Sequence, residues 1–572
     1  MKRKIIEKCL NSRISLRVAV RGLSNPLALR SRERHFASTS SSEGDPSERL
    51  KALTGLFSFL KEIGFRDKSE EKDEGDIMAW AINAHKTEME EKLQPPFPMP
   101  YISPQSSMLQ LAMLRQSGEA KGNQPGLRHT VVGQESHHST RPLESLSKIS
   151  LQEMQVRRRH EEKYLLCRTI SPASRLFGIM FAVEDPNAWA QIISIHNYPG
   201  TQHANEKELE TLFPVDSVIA IREPWAKTAS SASHTLIHVD SPSDIIFVQE
   251  GDKLLANVQW SSGPRPSPIL SRSESEWKSV GDSHFQEQEY FASSVAYLRA
   301  IKCQPSLTDA RLNRSLALMR LELYDAALDE LREVLGMVDL PPEVRQRALY
   351  LSGQAHYGEG HYKQALEAYR QCLVLNQTYQ DAHSGIQLCE RRMMEQAKGN
   401  FDWNTVLQET LTSGNEADIA DFVGPIKVAP LRHRDGGRGV IATRNITAGE
   451  VLLVAKPFAV ANQRDAKMEP VFASSALTGQ ISDKSDYLTV IQKCIDKLCM
   501  GSDDTARDFY TLYAGDKGPY SDALLRTKEA RNTFARDIDH ARVEAVCMLN
   551  GFGLQQDFGD IQTETHNDFG QG

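Results

Sequence analysis

The 572-residue chain has no apolar run long enough to cross a bilayer. Its longest candidate, Val451 to Ala461, spans eleven residues and includes Lys456, whereas a spanning helix needs about 20. No membrane partner is expected. Cysteine is sparse: the eight present form no Cys-x-x-Cys and no Cys/His spacing of the kind a tetrahedral zinc site requires. Cys494 and Cys499 come nearest, but they lie in a helix-like segment without a second half-site. They read as ordinary thiols in a reducing compartment, and no metal is assigned. An excess of positive charge is also missing. The net charge of -8 removes the global electrostatic pull on which generic nucleic-acid binding depends, so no nucleic-acid partner is expected.

What is present suggests about three or four domains. Residues 1–42 carry ten Lys or Arg against Glu7 and Glu33. This resembles a mitochondrial presequence; a disordered basic tail, or a true start nearer Met78, are the alternatives. The compartment therefore stays between mitochondrion and cytoplasm or nucleus. Residues 43–145 hold helical patches, then a Pro-, Ser-, Gln- and His-rich stretch that reads as a disordered linker. Between 146 and 262 come six short β-like runs: YLLCRTI, RLFGIMFAVED, AQIISIHNY, SVIAIREPW, HTLIHVD and DIIFVQE. Their spacing predicts a small β-barrel or sandwich module, OB-like in scale, with a docking role. His238, Asp240 and Ser241 fall together at one strand end, but without a nucleophile elbow or a distant partner they read as a turn.

Self-similarity begins at Trp277. Trp277, Val280, Gly281 and His284, then Ser293, Tyr297, Ala300 and Pro305, set a register. Ser315, Leu318, Tyr324, Ala327, Leu331 and Val334 repeat it 34 residues on. Gly353, His356, Gly360, Tyr362, Ala365, Tyr369 and Cys372 repeat it after 38, the extra residues falling at Leu340-Pro341-Pro342. This resembles the tetratricopeptide (TPR) repeat, with His284 where the family has Tyr and Ser293 where it has Ala. The resemblance implies an α-helical solenoid over 274–397, three repeats and a capping helix. Small residues sit where helices cross, and Tyr297, Leu331 and Tyr369 act as core filling only.

The inner face of such an array binds a protein or peptide. In the subclass that grips acidic chaperone C-terminal tails, five polar positions form a carboxylate clamp. This chain matches at Lys278 and Asn313, carries Arg347 for Lys, and departs at Asp282 and Leu351. An aspartate facing a carboxylate repels it, so a chaperone tail ranks behind other peptides as the ligand.

A helical linker over 398–423 leads to Gly437-Arg438-Gly439-Val440-Ile441-Ala442-Thr443-Arg444-Asn445-Ile446-Thr447-Ala448-Gly449-Glu450, then Val451 to Leu453. The residues predict a hairpin, two β runs joined at Thr447 to Glu450. Followed by Lys456-Pro457-Phe458, the stretch resembles the opening of a SMYD-type SET domain, and the repeats joined to it resemble fungal TPR-SET proteins. The resemblance covers 424–555 and implies a partial β-rich SET domain with a helical insert, in which Gly437, Arg438 and Gly439 face S-adenosylmethionine. The family's Asn-His-Ser segment, later Gly-Glu-Glu-Ile-like strand and substrate-orienting Tyr do not occur before Gly572, and 556–572 is a polar tail. The expectation is a truncated isoform or gene model without catalytic residues or cofactor as written.

The whole is thus expected to be multidomain: a TPR protein-interaction protein, the alternative being a protein-lysine methyltransferase of SMYD type that uses S-adenosylmethionine. The repeat register makes a prediction of its own. Ala327→Leu or Ala365→Leu should destabilise the array by roughly 1–3 kcal/mol through overpacking, while Lys278→Ala leaves the melting temperature nearly unchanged. Thermal melts followed by circular dichroism decide it, and equal losses would refute the register.

Overall fold

The computed structural model describes residues 94–120, 128–132, 136–176, 178–229, 234–268, 271–413, 417–430, 438–461, 471–475, 481–482, 485–515 and 537–551. The basic segment 1–42, the helical patches before residue 94 and the tail 556–572 lie outside these residues.

All six β runs enter one mixed sheet. Its strands are β1 (Ser147–Ile149), β2 (Arg158–Arg159), β3 (Lys163–Thr169), β4 (Ser174–Arg175), β5 (Ile179–Glu184), β6 (Ala190–Ile195), β7 (Val218–Arg222), β8 (Trp225–Thr228), β9 (Thr235–Val239) and β10 (Ile245–Phe247). The order is β10-β7-β3-β5-β6-β9-β8-β2, with β1 beside β3 and β4 beside β5; β9 runs parallel to β6, and β1 parallel to β3. The expected barrel does not form, because among the described residues the end strands β10 and β2 do not pair with each other.

Side-chain alternation explains why. Every residue of β5 and β6 is buried, so both faces of the central strands need cover. Odd-numbered residues (Leu165, Cys167, Phe181, Val183, Ile193, Ile195, Ile219, Ile221, Ile237, Val239) share one core with C-terminal residues Ile491, Cys494, Ile495, Leu498, Phe509, Val543 and Val546. Even-numbered ones face the other way, Tyr164, Leu166, Ala220 and Ile246 against Leu143 and Leu146, Met180 and Ile192 against Leu111. Leu111 belongs to a helix, α1 (Pro104–Ala120), within the stretch expected to be linker. With helices on both faces, the sheet has no inner face that closure would bury.

The odd face is completed from far along the chain by α11 (Ser485–Met500), α12 (Asp503–Tyr510) and α13 (His540–Asn550). The β module and the C-terminal helical segment, set apart in the sequence, share this interior.

Within the β module, α2 (Glu206–Leu212) joins β6 to β7; between the module and the C-terminal segment run the repeat helices α3 (Glu274–Gln286), α4 (Tyr290–Cys303), α5 (Thr308–Arg320), α6 (Tyr324–Leu335), α7 (Pro342–Gly358), α8 (Tyr362–Leu375) and α9 (Gln380–Lys398), followed by α10 (Trp403–Ser413). Each repeat helix packs on the next. Gly281 and Gly353 are small for a reason: an added Cβ would stand 2.6 Å from the Tyr297 ring and 2.5 Å from that of Tyr369. Ser293 donates its hydroxyl to the Gly281 carbonyl at 2.9 Å.

His284, standing where the repeat pattern leads one to expect Tyr, docks the array. Its Nε2 meets Thr211 Oγ1 of α2 at 2.8 Å, and its Nδ1 meets Glu289 at 2.5 Å. Arg299, buried over Trp277, caps α2 by donating to the carbonyls of Thr211 and Leu212. At a second contact, Asp325 accepts from Ser502 N at 3.0 Å and from the Thr505 hydroxyl at 2.8 Å, where α12 starts.

The predicted hairpin is also corrected. Strand β13 (Arg438–Ala442) pairs with β12 (Ile426–Pro430), and β14 (Leu453–Val454) with β11 (Phe422–Val423). The Thr447 to Glu450 turn exists, its Glu450 N donating to Thr447 O at 3.2 Å, yet the runs it joins pair with preceding segments. Their partners lie upstream, beyond what the local turn specifies.

A shared interior predicts shared unfolding. Ile495→Ala should cost about 2–5 kcal/mol and lower amide-exchange protection in β3 and β7 as well as in α11. Loss confined to the C-terminal helices would contradict a common core.

Candidate ligand groove

The three residues singled out in the repeats come from three successive pairs: Lys278 on α3, Asn313 on α5 and Arg347 on α7. Helical register places them on one face, and a fourth residue ties them together. Lys278 Nζ donates to Asp282 Oδ2 at 2.8 Å, Asn313 Nδ2 donates to Asp282 Oδ1 at 3.2 Å, and Arg347 Nη2 donates to Asn313 Oδ1 at 3.2 Å. Tyr297 adds its hydroxyl to Asp282 Oδ1 at 2.7 Å. Tyr297 is therefore more than core filling: its ring is buried between α3 and α4, and its phenol reaches the groove.

Asp282 is the centre that the sequence shows only as a departure from a pattern. Burial works against its ionisation, but hydrogen bonds from Lys278 and Tyr297, then Asn313, outweigh that and hold the carboxyl below its ordinary range. Burial, and next the bond to Asp282, raise the Tyr297 phenol. Arg347 is exposed and pairs with no carboxylate among the described residues. Leu351, the other departure, turns inward to pack with Leu312, Leu331 and Val334. Tyr350 and Tyr379 meet edge to face at 5.1 Å between α7 and the start of α9.

The remaining described candidates take no part in this network. Gly437 lies outside the described residues. Arg438 opens β13 opposite Pro430, and Gly439 is buried opposite Ala429. His238 Nε2 does contact Asp240 Oδ1 at 2.7 Å, but the Ser241 hydroxyl contacts Ser243 Oγ and donates to Ile538 O, each at 2.8 Å, so the three make no nucleophilic set. Cys494 and Cys499 are buried in the shared core, where Cys494 Sγ meets Cys547 Sγ at 3.7 Å. Among the described residues no cluster of His, Cys, Asp and Glu suits a metal ion, and no helix is long and apolar enough to cross a membrane.

No family model matches the chain. A Gibberella zeae protein named "Methyltransferase" is 25% identical over 419 residues, which are 71% of this chain and 54% of that protein. The chain thus spans about half the length of the curated relative it matches. Among solved structures, the Arabidopsis OM64 TPR domain is 20% identical and matches over 20% of this chain and 93% of its own, with a TM-score of 0.19. The first TPR of Spaghetti (RPAP3), bound to the HSP90 peptide SRMEEVD, is 16% identical over 21% and 93%, with a TM-score of 0.19. The Sgt2 TPR domain of Aspergillus fumigatus is 22% identical over 24% and 89%, with a TM-score of 0.20. The helical-repeat architecture itself rests on the packing described above.

Tyr297→Phe keeps the ring and removes one donor from Asp282, which should cost about 0.5–1.5 kcal/mol. The Asp282 carboxyl, depressed in the folded protein, contributes stability above its unfolded value of 3.8 and loses it as pH falls through the folded value. In the variant the folded value lies nearer 3.8, so the loss is smaller and is complete at a higher pH. Carboxyl carbon NMR reads the titration, and an unchanged Asp282 midpoint would break the assignment.

Proposed function

We propose that this chain is a TPR-type interaction protein whose concave groove holds an extended peptide segment of a partner protein. One observation carries the proposal: a continuous polar network, Lys278 to Asp282 to Asn313 to Arg347, crosses three consecutive repeats on a single face. A network that only stabilised one helix pair would need no members on the next two. An extended peptide, by contrast, needs donors and acceptors spaced along its length, mounted on rigid elements. The array is rigidly mounted, since His284 and Arg299 clamp its first pair to α2 and Asp325 clamps its second pair to α12.

A second reading, a methyltransferase role, draws on the fungal relative together with the resemblance of 424–555 to a SET opening. In that reading Gly437, Arg438 and Gly439 are the cofactor-facing residues. The described part of this segment does not fit an open cradle for S-adenosylmethionine, because Gly439 is buried and committed to the β12–β13 pairing. No catalytic step is assigned to it.

The groove is tested by probing the full chain against an immobilised array of random octapeptides. Peptides retained by the wild type should lose at least tenfold in signal with Asn313→Ala/Arg347→Ala and keep it with Arg332→Ala, an exposed position on α6. Retention that ignores the double substitution would overturn the proposal.

A further inference from the structure

The geometry points to Asp282 as an internal occupant of the groove: it fills, from within the chain, the position where a ligand's carboxylate would be held, so the partner enters with a neutral or basic side chain there. The inference rests on the groove proposed above and specifies which peptides it takes.

Three donors converge on the first half of the groove, the Lys278 ammonium, the Tyr297 hydroxyl and the Asn313 amide, and all three end on the one carboxylate of Asp282, at 2.8, 2.7 and 3.2 Å. That is the donor set a bound carboxylate would use, two oxygens met by a cation and two neutral donors. The Tyr297 hydroxyl is spent on Asp282 and the Lys278 charge is already neutralised by it, so an acidic ligand draws the full attraction of this set only by displacing Asp282. Displacement would leave Asp282 unpaired beside a second anion, and like charges at such distance repel strongly outside bulk water.

The rest of the face points the same way. Asp309, Arg347 and Asp381 stand at the same register position of α5, α7 and α9, and all are exposed. Two of these three rungs are acidic, so Arg347 is a lone cation between them. A run of acidic residues finds one partner in Arg347 and three repelling carboxylates, whereas a lysine- or arginine-bearing segment meets complementary charge at Asp309 and Asp381 and a neutral one meets no repulsion. Leu316 and Tyr350, partly exposed on the same helices, supply apolar surface for the residues between.

The test is Asp282→Asn, which preserves shape and releases Lys278, with circular dichroism to verify the fold. Two probes are used on the full chain: the acidic heptapeptide SRMEEVD, by fluorescence anisotropy, and the octapeptide array. We expect Asp282→Asn to bind SRMEEVD at least tenfold more tightly than the wild type, and Lys278→Ala/Asp282→Asn to lose that gain. The array profile of the wild type should be poor in Asp and Glu, and that of Asp282→Asn enriched in them. Equal affinity of wild type and Asp282→Asn for SRMEEVD, or binding by neither, overturns the role of Asp282 while array retention sensitive to Asn313 and Arg347 keeps the groove standing. An empty wild-type array beside gained SRMEEVD binding would instead defeat the groove proposal and leave the internal carboxylate intact.

Discussion

The structure depends on one buried surface, the odd-numbered face of the ten-stranded sheet. Leu165, Phe181, Ile193, Ile219 and Ile237 project from five adjacent strands, and water is kept from them by helices that follow roughly 250–380 residues later. Burial of large aliphatic side chains is worth about 1.5–3 kcal/mol each, so a face this wide cannot be left open. The repeat array lies between sheet and covering helices in sequence. Wherever the chain closes this core, the first two pairs of the array are drawn to the same body, and His284, Arg299 and Asp325 are the polar contacts that record it.

That arrangement changes what the repeats are. A solenoid stabilised by nearest-neighbour packing needs nothing outside itself, and most of this one obeys the rule: Trp277, Tyr297 and Tyr369 are buried among the helices of the array. Its first pair breaks the rule at His284 and Arg299, where His284 Nε2 and the Arg299 guanidinium find their partners on α2. Two departures from repeat consensus thus have structural causes, His284 in docking and Ser293 in bonding the Gly281 carbonyl. A third, Asp282, has its cause in the groove.

Much of this was legible in the residues. The six β runs are strands because fully buried strands are written as continuous apolar stretches, and the 34-residue register locates seven packed helices because Gly281 and Gly353 admit tyrosine rings that no larger residue would. Lys278, Asn313 and Arg347 were found by register, and they do fall in one network. What was not legible is non-local. The cover over the sheet comes from helices whose apolar faces advertise burial but not against what, so a small barrel or sandwich is the economical expectation from the strands alone. The β13 and β14 pairings were misjudged for a related reason, since a good turn at Thr447 to Glu450 says nothing of competing partners at Phe422 or Ile426. In the groove, the register names Lys278, Asn313 and Arg347 but not the Asp282 carboxylate that binds the first two, because hydrogen bonds between successive repeats have no sequence period.

The central claim is that the groove residues of separate repeats act as one unit through Asp282. A double-mutant cycle on thermal stability, with Lys278→Met and Asn313→Ala singly and together, measures this most directly. The account predicts a coupling energy of about 0.5–1.5 kcal/mol, given that both side chains bond the same carboxylate. Strict additivity within error would contradict it, showing Lys278 and Asn313 to be independent surface residues.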